Sequence, residues 1–250
     1  MPGHIEDSQI KVLLLDIEGT TTPVDFVYKT LFPYASRKVE GFLVEHFRDL
    51  ELQAVLAELA AQYQRDEREG ARPPAWHQET EVARLRSTVG YVHWLMAKDS
   101  KCTPLKTLQG KIWQRGYTNG ELHGEVYADV PPAFERWQRQ GREICIYSSG
   151  SVLAQQLLFR STMAGDLTAY ISAFYDTAIG MKTESESYRR IAQSSHRVTS
   201  EVLFISDAKR EIGAARLAGL HATLCVREPA GTNDDSDDGT IRTFDEVMPK

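Results

Sequence analysis

The sequence has few cysteines and no pattern that would pair them. Its 250 residues contain only Cys102, Cys145 and Cys225, and there is no Cys-x-x-Cys pair. Two of the three stand in short apolar runs, so we expect buried, reduced thiols and not a disulfide framework or a zinc site. No Asn-x-Ser/Thr sequon occurs, which agrees with a reducing compartment.

Long apolar runs and an excess of basic residues are also missing. No stretch approaches the ~18 apolar residues of a membrane span, and the first residues lack the basic and apolar regions of a signal peptide. The net charge is −6, which gives no basic surface for nucleic acid or an anionic membrane. We therefore expect a cytoplasmic protein with no nucleic-acid or membrane partner. An acidic balance does suit a protein that recruits a divalent cation to an anionic substrate.

Five short apolar runs with polar ends are the main structural signal. They are near-continuous and do not alternate with polar residues, which is typical of parallel strands covered on both faces. Helix-like segments separate the last four, so the pattern predicts βαβ units and a doubly wound α/β fold with a parallel sheet. The runs are KVLLLD (11–16), EICIYSS (143–149), YISAFYD (170–176), EVLFISD (201–207) and HATLCV (221–226).

The interval between the first two runs breaks this rhythm. Four segments within it have apolar residues at three- and four-residue spacing, which predicts helices. We predict an all-helical cap domain, residues 23–127, inserted after the first strand into an α/β core formed by residues 1–22 and 128–250. Inserted there, the cap is well placed to cover the end of that strand.

Chemically active residues stand at successive strand ends, where open parallel sheets bind their ligands. Asp16 and Glu18 follow the first strand, and Ser148 and Ser149 follow the second. Three more come after the third and fourth strands: Lys182, Asp207 and Glu211.

Each of these residues has a more ordinary interpretation. An acidic pair is often solvated, serines commonly cap helices, a single lysine is more often on the surface, and an acid in a first helical turn can serve the helix dipole. Their joint occurrence at four strand ends favours a phosphate–metal site.

The same residues supply what phosphoryl transfer needs. Asp16 can accept the phosphoryl group as an aspartyl-phosphate, and Asp16 with Asp207 can hold Mg²⁺ among waters. Ser148, the Ser149 and Gly150 amides and Lys182 can stabilise the charge on the transferring group. Glu18 can act as the acid/base. Gly19 permits a sharp turn between them, and we expect Thr20 to hydrogen-bond back and tie that turn.

The order of these motifs resembles the haloacid dehalogenase superfamily, whose first motif, Asp-x-Asp-x-Thr, stands here as Asp16-Ile17-Glu18-Gly19-Thr20. Within that superfamily the chain is similar to the enolase-phosphatases of methionine salvage. The resemblance rests on DIEGTTTP, FVYKTLFPYA, LKTLQGKIW, YADVPPAFERW, IYSSGSV, KTESESY and LFISDAKREIGAA, and it extends over nearly the whole chain.

This resemblance implies a bifunctional, Mg²⁺-dependent, cytoplasmic monomer with one metal ion per chain. Its substrate, 2,3-diketo-5-methylthiopentyl-1-phosphate, is enolised and then dephosphorylated to the acireductone 1,2-dihydroxy-3-keto-5-methylthiopentene. It also implies that Asp16 and Glu18 are catalytic, that Ser148, Ser149 and Lys182 bind substrate, and that Asp16, Glu18 and Asp207 bind the metal. Glu18 is expected to use its backbone carbonyl for the metal, which leaves its carboxylate for proton transfer.

Alternatives remain at the level of sequence. The chain could be a related phosphatase or dehalogenase for another small metabolite, a signalling domain that accepts phosphate on Asp16, or an inactive scaffold. The cap aromatics Trp94 and Trp113 could contact the methylthio group or could simply form the core of the cap. The acidic segment 228–240 does not match a calcium-binding loop and is expected to be a solvated loop.

Overall fold

A five-stranded parallel sheet forms the centre of the α/β part. The computed structural model describes residues 9–227 and 239–249, so most of the acidic segment 228–240 lies outside the described residues. The strand order is β3-β2-β1-β4-β5, and every neighbouring pair is parallel. Each strand lies inside one of the predicted apolar runs, which confirms the predicted α/β sheet. The strands are β1 (Val12–Leu15), β2 (Glu143–Tyr147), β3 (Ile171–Tyr175), β4 (Val202–Ser206) and β5 (His221–Leu224).

Eight α-helices are found in the described part of the chain, and each overlaps a segment with helical spacing of apolar residues. Thr80 and Ser151 begin two of them by accepting hydrogen bonds from Ala83 and Ala154 amides. The helices are α1 (Phe32–His46), α2 (Leu50–Arg68), α3 (Glu81–Ala97), α4 (Thr103–Thr118), α5 (Val130–Arg139), α6 (Val152–Arg160), α7 (Ser185–Ser194) and α8 (Lys209–Ala218).

Both faces of the sheet are covered by helices. All four side chains of β1 are buried, as expected for a central parallel strand. Val12 and Leu14 pack in one hydrophobic cluster with residues of α7 and α8. The α5 and α6 helices bring together Phe134 and Phe159, and Phe159 also contacts Phe174 of β3. The sheet is therefore doubly wound.

The chain divides into two compact units. One comprises residues 1–26 and 123–250, and the other residues 27–122. These limits differ from the predicted core–cap boundaries because short segments on both sides bond within the α/β unit. The Phe26 amide donates to the Pro23 carbonyl, and the Tyr127 amide donates to the Thr21 carbonyl. That the helical unit acts as a lid stays a prediction.

The aromatic residues of the helical unit mostly form its own core. Tyr63, Trp76 and Tyr91 pack against one another. Trp113 is 8% exposed and donates from Nε1 to the Leu31 carbonyl at 2.9 Å. Its buried indole nitrogen is therefore already paired inside this unit.

The three cysteines are free thiols. Cys145 and Cys225 are buried, as predicted, whereas Cys102 is half-buried. Burial raises the pKa of Cys145 and of Cys225 to about 12, so both are held as unreactive thiols. Among the described residues, no helix combines the length and apolar character that a membrane crossing requires.

Candidate active site at the carboxyl edge of the sheet

A tight turn follows β1 and carries the first motif. The amides of Thr20, Thr21 and Thr22 all donate to the Ile17 carbonyl, so the chain folds back within a few residues. Gly19 has φ +68° in this turn, a conformation that glycine adopts without the Cβ penalty. The hydroxyl of Thr21 donates to the Asp16 carbonyl at 3.0 Å. The side chain that ties the turn to its own start is thus that of Thr21. Thr20 bonds back through its amide, and its hydroxyl accepts from the Asp207 amide.

Asp16 is a buried carboxylate with a partner on each oxygen. It is 5% exposed. Its Oδ1 accepts from the Ile17 amide at 2.7 Å and lies 2.6 Å from Lys182 Nζ. Its Oδ2 accepts from the Ser206 hydroxyl at 2.9 Å. These contacts come from three strand ends or loops, so the carboxylate is fixed in one orientation.

Lys182 lies between two acids. Its Nζ is 2.6 Å from Asp16 Oδ1 and 2.7 Å from Glu211 Oε2, and the residue is 8% exposed. Burial opposes the ammonium charge, but the charges of Asp16 and Glu211 outweigh it, so the pKa of Lys182 is raised. The lysine therefore stays charged and can meet an anionic group beside Asp16.

Glu211 shares its environment with Asp16. Burial and the charge of Asp16 raise its pKa, while Lys182 opposes that rise. Ser206 Oγ is 2.9 Å from Asp16 and 3.0 Å from Glu211. One hydroxyl hydrogen cannot serve both carboxylates at once, so a proton on Glu211 would let all three groups pair.

Asp207 reaches the same turn from β4. Its amide donates to the Thr20 hydroxyl at 3.1 Å. Its Oδ2 lies within 3.0 Å of the point where a Cβ on Gly19 would stand. Burial of the carboxyl and then the charge of Asp16 raise the pKa of Asp207 to about 6. A carboxyl that is buried beside another carboxylate, as Asp207 is, is suited to a cation that offsets the negative charge.

Ser148 and Ser149 lie at the end of the neighbouring strand. β1 and β2 run parallel with Leu15 opposite Ile146, so both chains leave the sheet at the same edge. Ser148 is buried, and its Oγ accepts from the Gly150 amide at 3.2 Å. That amide was predicted to face phosphate, but it is bonded to Ser148. The helix that follows is capped by Ser151, so neither predicted serine serves as that cap.

Glu18 is half-buried and forms an isolated backbone bridge with Thr22. Its backbone lies in the turn between Asp16 and Gly19. Gly19, the residue that the Asp207 carboxylate approaches, follows it directly. A cavity of about 470 Å³ opens next to this turn, and both Gly19 and Asp207 line it. The site therefore has adjacent space within the α/β unit.

The donors present fit a hard divalent cation. Oxygen ligands at this edge would be the carboxylates of Asp16 and Asp207 and the backbone carbonyl of Glu18. Within the described ranges 9–227 and 239–249, no three His, Cys, Asp or Glu side chains form a ready-made metal cluster. Mg²⁺ prefers a site with few carboxylates, in which water molecules complete the coordination. The absence of a side chain at Gly19 lets the Asp207 carboxylate approach this turn, which agrees with such a site.

Ser206 is a site residue whose position at a strand end was evident in the sequence but whose role was not predicted. It is fully buried at the end of β4 and connects Asp16 to Glu211. The signal available was its position directly before Asp207 at a predicted strand end. Since Leu15 pairs with Ile205, the next residues, Asp16 and Ser206, are adjacent across the sheet.

Comparisons with known proteins agree with this arrangement. A family model described as haloacid dehalogenase-like hydrolase matches residues 10–219. The chain is 48% identical over 238 residues to the enolase-phosphatase E1 of Synechococcus elongatus, covering 95% of this chain and 98% of that one. It is 44% identical over 219 residues to the enolase-phosphatase E1 of Drosophila melanogaster, covering 87% and 83%.

Solved structures point the same way. The UTR4 protein of Saccharomyces cerevisiae is 32% identical, with a TM-score of 0.74 over 93% of this chain and 96% of that chain. A haloacid dehalogenase phosphatase from Thermococcus onnurineus has a TM-score of 0.58 at 17% identity over 96% and 97%, which shows the fold alone. Since the family model and the relatives both span most of the sequence, the chain belongs to the enolase-phosphatase E1 family of haloacid dehalogenase-like hydrolases.

Proposed function

We propose that this chain is the acireductone synthase of methionine salvage, acting on 2,3-diketo-5-methylthiopentyl-1-phosphate. The observation that carries the proposal is the Asp16 carboxylate, which is oriented by Ser206 and Lys182 in a chain 48% identical to an enolase-phosphatase over nearly its whole length. Family membership supports the bifunctional reaction, and the residue roles below are our assignment.

In the phosphatase step, Asp16 is the nucleophile. A carboxylate oxygen forms a bond to phosphorus as the bond from phosphorus to the enol oxygen breaks, which gives an aspartyl-phosphate. Water then attacks this phosphorus and releases orthophosphate and free Asp16. Lys182, and Ser148 from the neighbouring strand end, offset the charge of the transferring group.

In the enolisation step, a proton leaves the carbon next to a carbonyl and the carbonyl oxygen takes up a proton to become the enol hydroxyl. We assign this proton transfer to the Glu18 carboxylate, which also protonates the leaving oxygen in the second step. Glu is one methylene longer than the Asp usual at this motif position, and the longer side chain lets the carboxylate reach the proton on the carbon next to the carbonyl. Ser149 is assigned to substrate binding at the β2 end.

Mg²⁺ is the cofactor that we propose, held by Asp16, Asp207 and the Glu18 backbone carbonyl. When bound, it supplies charge neutralisation between the nucleophile and the phosphate. We propose one ion per chain, a cytoplasmic location and a monomeric active unit.

The deciding experiment mixes purified protein with Mg²⁺ and the diketone phosphate, and follows orthophosphate and ultraviolet absorbance together. A transient enol-phosphate signal before phosphate and acireductone is expected, and chelation of the metal should abolish phosphate release until Mg²⁺ is restored. Release of phosphate from generic esters without turnover of this substrate would favour the alternative, a related phosphatase for another small metabolite.

A further inference from the structure

The segment that carries Lys182 is held by three side-chain hydroxyls on three consecutive carbonyls. Tyr147 donates to the Gly180 carbonyl at 2.8 Å and Ser187 donates to the Met181 carbonyl at 2.8 Å. Tyr188 donates to the carbonyl of Lys182 itself at 2.6 Å. We call these three donors, Tyr147, Ser187 and Tyr188, the hydroxyl clamp.

All three members of the hydroxyl clamp are buried. Tyr147 and Tyr188 are 0% exposed and Ser187 is 1% exposed. The two tyrosine rings pack edge to face with centroids 5.6 Å apart, and Tyr188 packs in the same manner on Phe204. Because the rings are packed in the core, the positions of their hydroxyls are fixed, and the hydrogen bonds to these hydroxyls hold the loop in place.

The loop itself is adapted to this contact. Gly180 has φ +142°, and a Cβ placed there would collide with the Ser187 hydroxyl. Glycine is therefore needed for the backbone to come close enough to accept these bonds. Tyr147 contributes a second time, since Lys182 Nζ lies 5.9 Å from the centre of its ring.

We propose that the hydroxyl clamp, and Tyr188 above all, positions Lys182 for the phosphoryl-transfer step. Lys182 must keep its ammonium within reach of Asp16, where it now lies 2.6 Å from Oδ1. Its long side chain starts from a loop with no regular secondary structure between β3 and α7. Without fixed carbonyls that loop could place the ammonium elsewhere, and displacements of about 1 Å can cost ~100-fold in rate. The proposal rests on the function proposed above.

Tyr188→Phe tests this role, because it keeps the packed ring and removes only the hydroxyl on Lys182. Tyr175→Phe is the matched control. The Tyr175 hydroxyl bonds Ser194 at the other end of α7, 2.7 Å away, so the control also removes one tyrosine hydroxyl beside this helix. The readouts are the rates of enolisation and of phosphate release in single turnovers at saturating substrate.

We expect Tyr188→Phe to slow phosphate release by roughly 10- to 100-fold and to slow enolisation much less, with Tyr175→Phe like wild type in both steps. Equal loss of both steps in Tyr188→Phe would mean a general structural defect and would overturn the proposal. Wild-type rates in Tyr188→Phe would overturn it as well.

A double-mutant cycle with Lys182→Arg adds a second criterion. If Tyr188 acts through Lys182, the effects of the two substitutions on phosphate release will be less than multiplicative, whereas independent roles would give a full product. Should Tyr188→Phe fail to fold, Tyr147→Phe and Ser187→Ala remove the other two clamp bonds and are judged by the same split.

The substrate assignment can fail separately from this inference. If the wild-type protein hydrolyses p-nitrophenyl phosphate but not the diketone phosphate, the proposed function is wrong. The role of the hydroxyl clamp is then tested with the aryl ester alone. The rates of phosphate release are compared among Tyr188→Phe, Tyr175→Phe, Lys182→Arg and the double variant of Tyr188 and Lys182.

Discussion

The carboxylate of Asp207 occupies the space that a side chain on Gly19 would take. Three features therefore depend on one missing methyl group: the φ of +68° at Gly19, the sharp turn after β1 and the approach of Asp207 to that turn. The two residues are far apart in sequence but lie at the ends of adjacent strands, β1 and β4.

Gly19→Ala should therefore reduce Mg²⁺-dependent phosphate release by at least ~100-fold, since a shift of about 1 Å at a catalytic group has that effect. The new methyl group must displace the Asp207 carboxylate. Gly141→Ala is the matched control, because Gly141 has φ +72° and nothing within 4 Å of an added Cβ. Each substitution should cost about 1–2 kcal/mol of stability from backbone strain alone. Equal activity in the two variants would contradict the proposed role of this contact.

Asp16→Asn should separate the two reaction steps. The amide keeps the size of the side chain but is a poor nucleophile, so phosphate release should fall by more than ~1000-fold, or about 4 kcal/mol of barrier. Enolisation, assigned to Glu18, should persist to a greater extent, and the enol-phosphate signal should accumulate. Stopped-flow absorbance together with a phosphate assay measures both.

Asp176→Asn provides the comparison for that variant. Asp176 directly follows β3, and its carboxylate accepts from the amides of Val152 and Ala178, so it is an acid at a strand end with a local structural role. We expect it to keep both reaction steps. Substantial phosphate release by Asp16→Asn would contradict the aspartyl-phosphate mechanism.

The strand ends were the most predictable part of the site. Parallel strands must end at one edge, so Asp16, Lys182 and Asp207 could be placed together from the sequence. In the structure Lys182 Nζ lies 2.6 Å from Asp16, and Asp207 lies against the turn that follows Asp16. The partner of each hydroxyl could not be predicted in this way. Ser206 faces Asp16 only because of the register between β1 and β4. The Thr20 hydroxyl accepts from the Asp207 amide, while the Thr20 amide bonds within its own turn.

Local geometry explains the other differences. The six-residue π-helical turn Phe26–Leu31 directly precedes α1. A single π-helical turn is too short for its apolar spacing to be told from that of the α-helix that follows, so it was not predicted. The boundaries between the two units depend on single backbone hydrogen bonds, such as that from the Tyr127 amide to the Thr21 carbonyl. Amino-acid composition does not reveal such bonds. The hydroxyl clamp on Lys182 likewise requires a loop conformation that only the folded chain defines.

Glu18→Asp tests the assignment of Glu18 as the base of the enolisation step. Shortening the side chain by one methylene should slow enolisation by roughly 10-fold or more, because the base must lie within hydrogen-bond reach of the proton that it removes. The backbone carbonyl proposed for the metal is unchanged, so Mg²⁺ affinity measured by calorimetry should stay near the wild-type value. Enolisation at the full rate in Glu18→Asp would exclude Glu18 as a base that requires its longer reach.

The ion pair between Arg227 and Asp129 should be the main electrostatic contribution to stability in the α/β unit. Arg227 Nη1 lies 2.5 Å from Asp129 Oδ2, and their side chains are 6% and 12% exposed. The guanidinium carbon lies 4.4 Å from the centre of the Tyr127 ring and 4.5 Å from that of the Phe244 ring, and its Nε donates to the Thr20 carbonyl at 2.8 Å. This pair therefore also supports the turn that follows Asp16.

Asp129→Ala would leave the buried guanidinium without its counter-ion, so the free energy of unfolding should fall by about 3–5 kcal/mol. The comparison is Glu135→Ala, which removes the exposed pair with Arg139 on the adjacent helix and should cost less than about 1 kcal/mol. Urea denaturation followed by circular dichroism measures both values. A loss in Asp129→Ala as small as that in Glu135→Ala would mean that hydration replaces the carboxylate. Phosphate release should also weaken in Asp129→Ala, since the carbonyl of Thr20 is bonded to the guanidinium that Asp129 anchors.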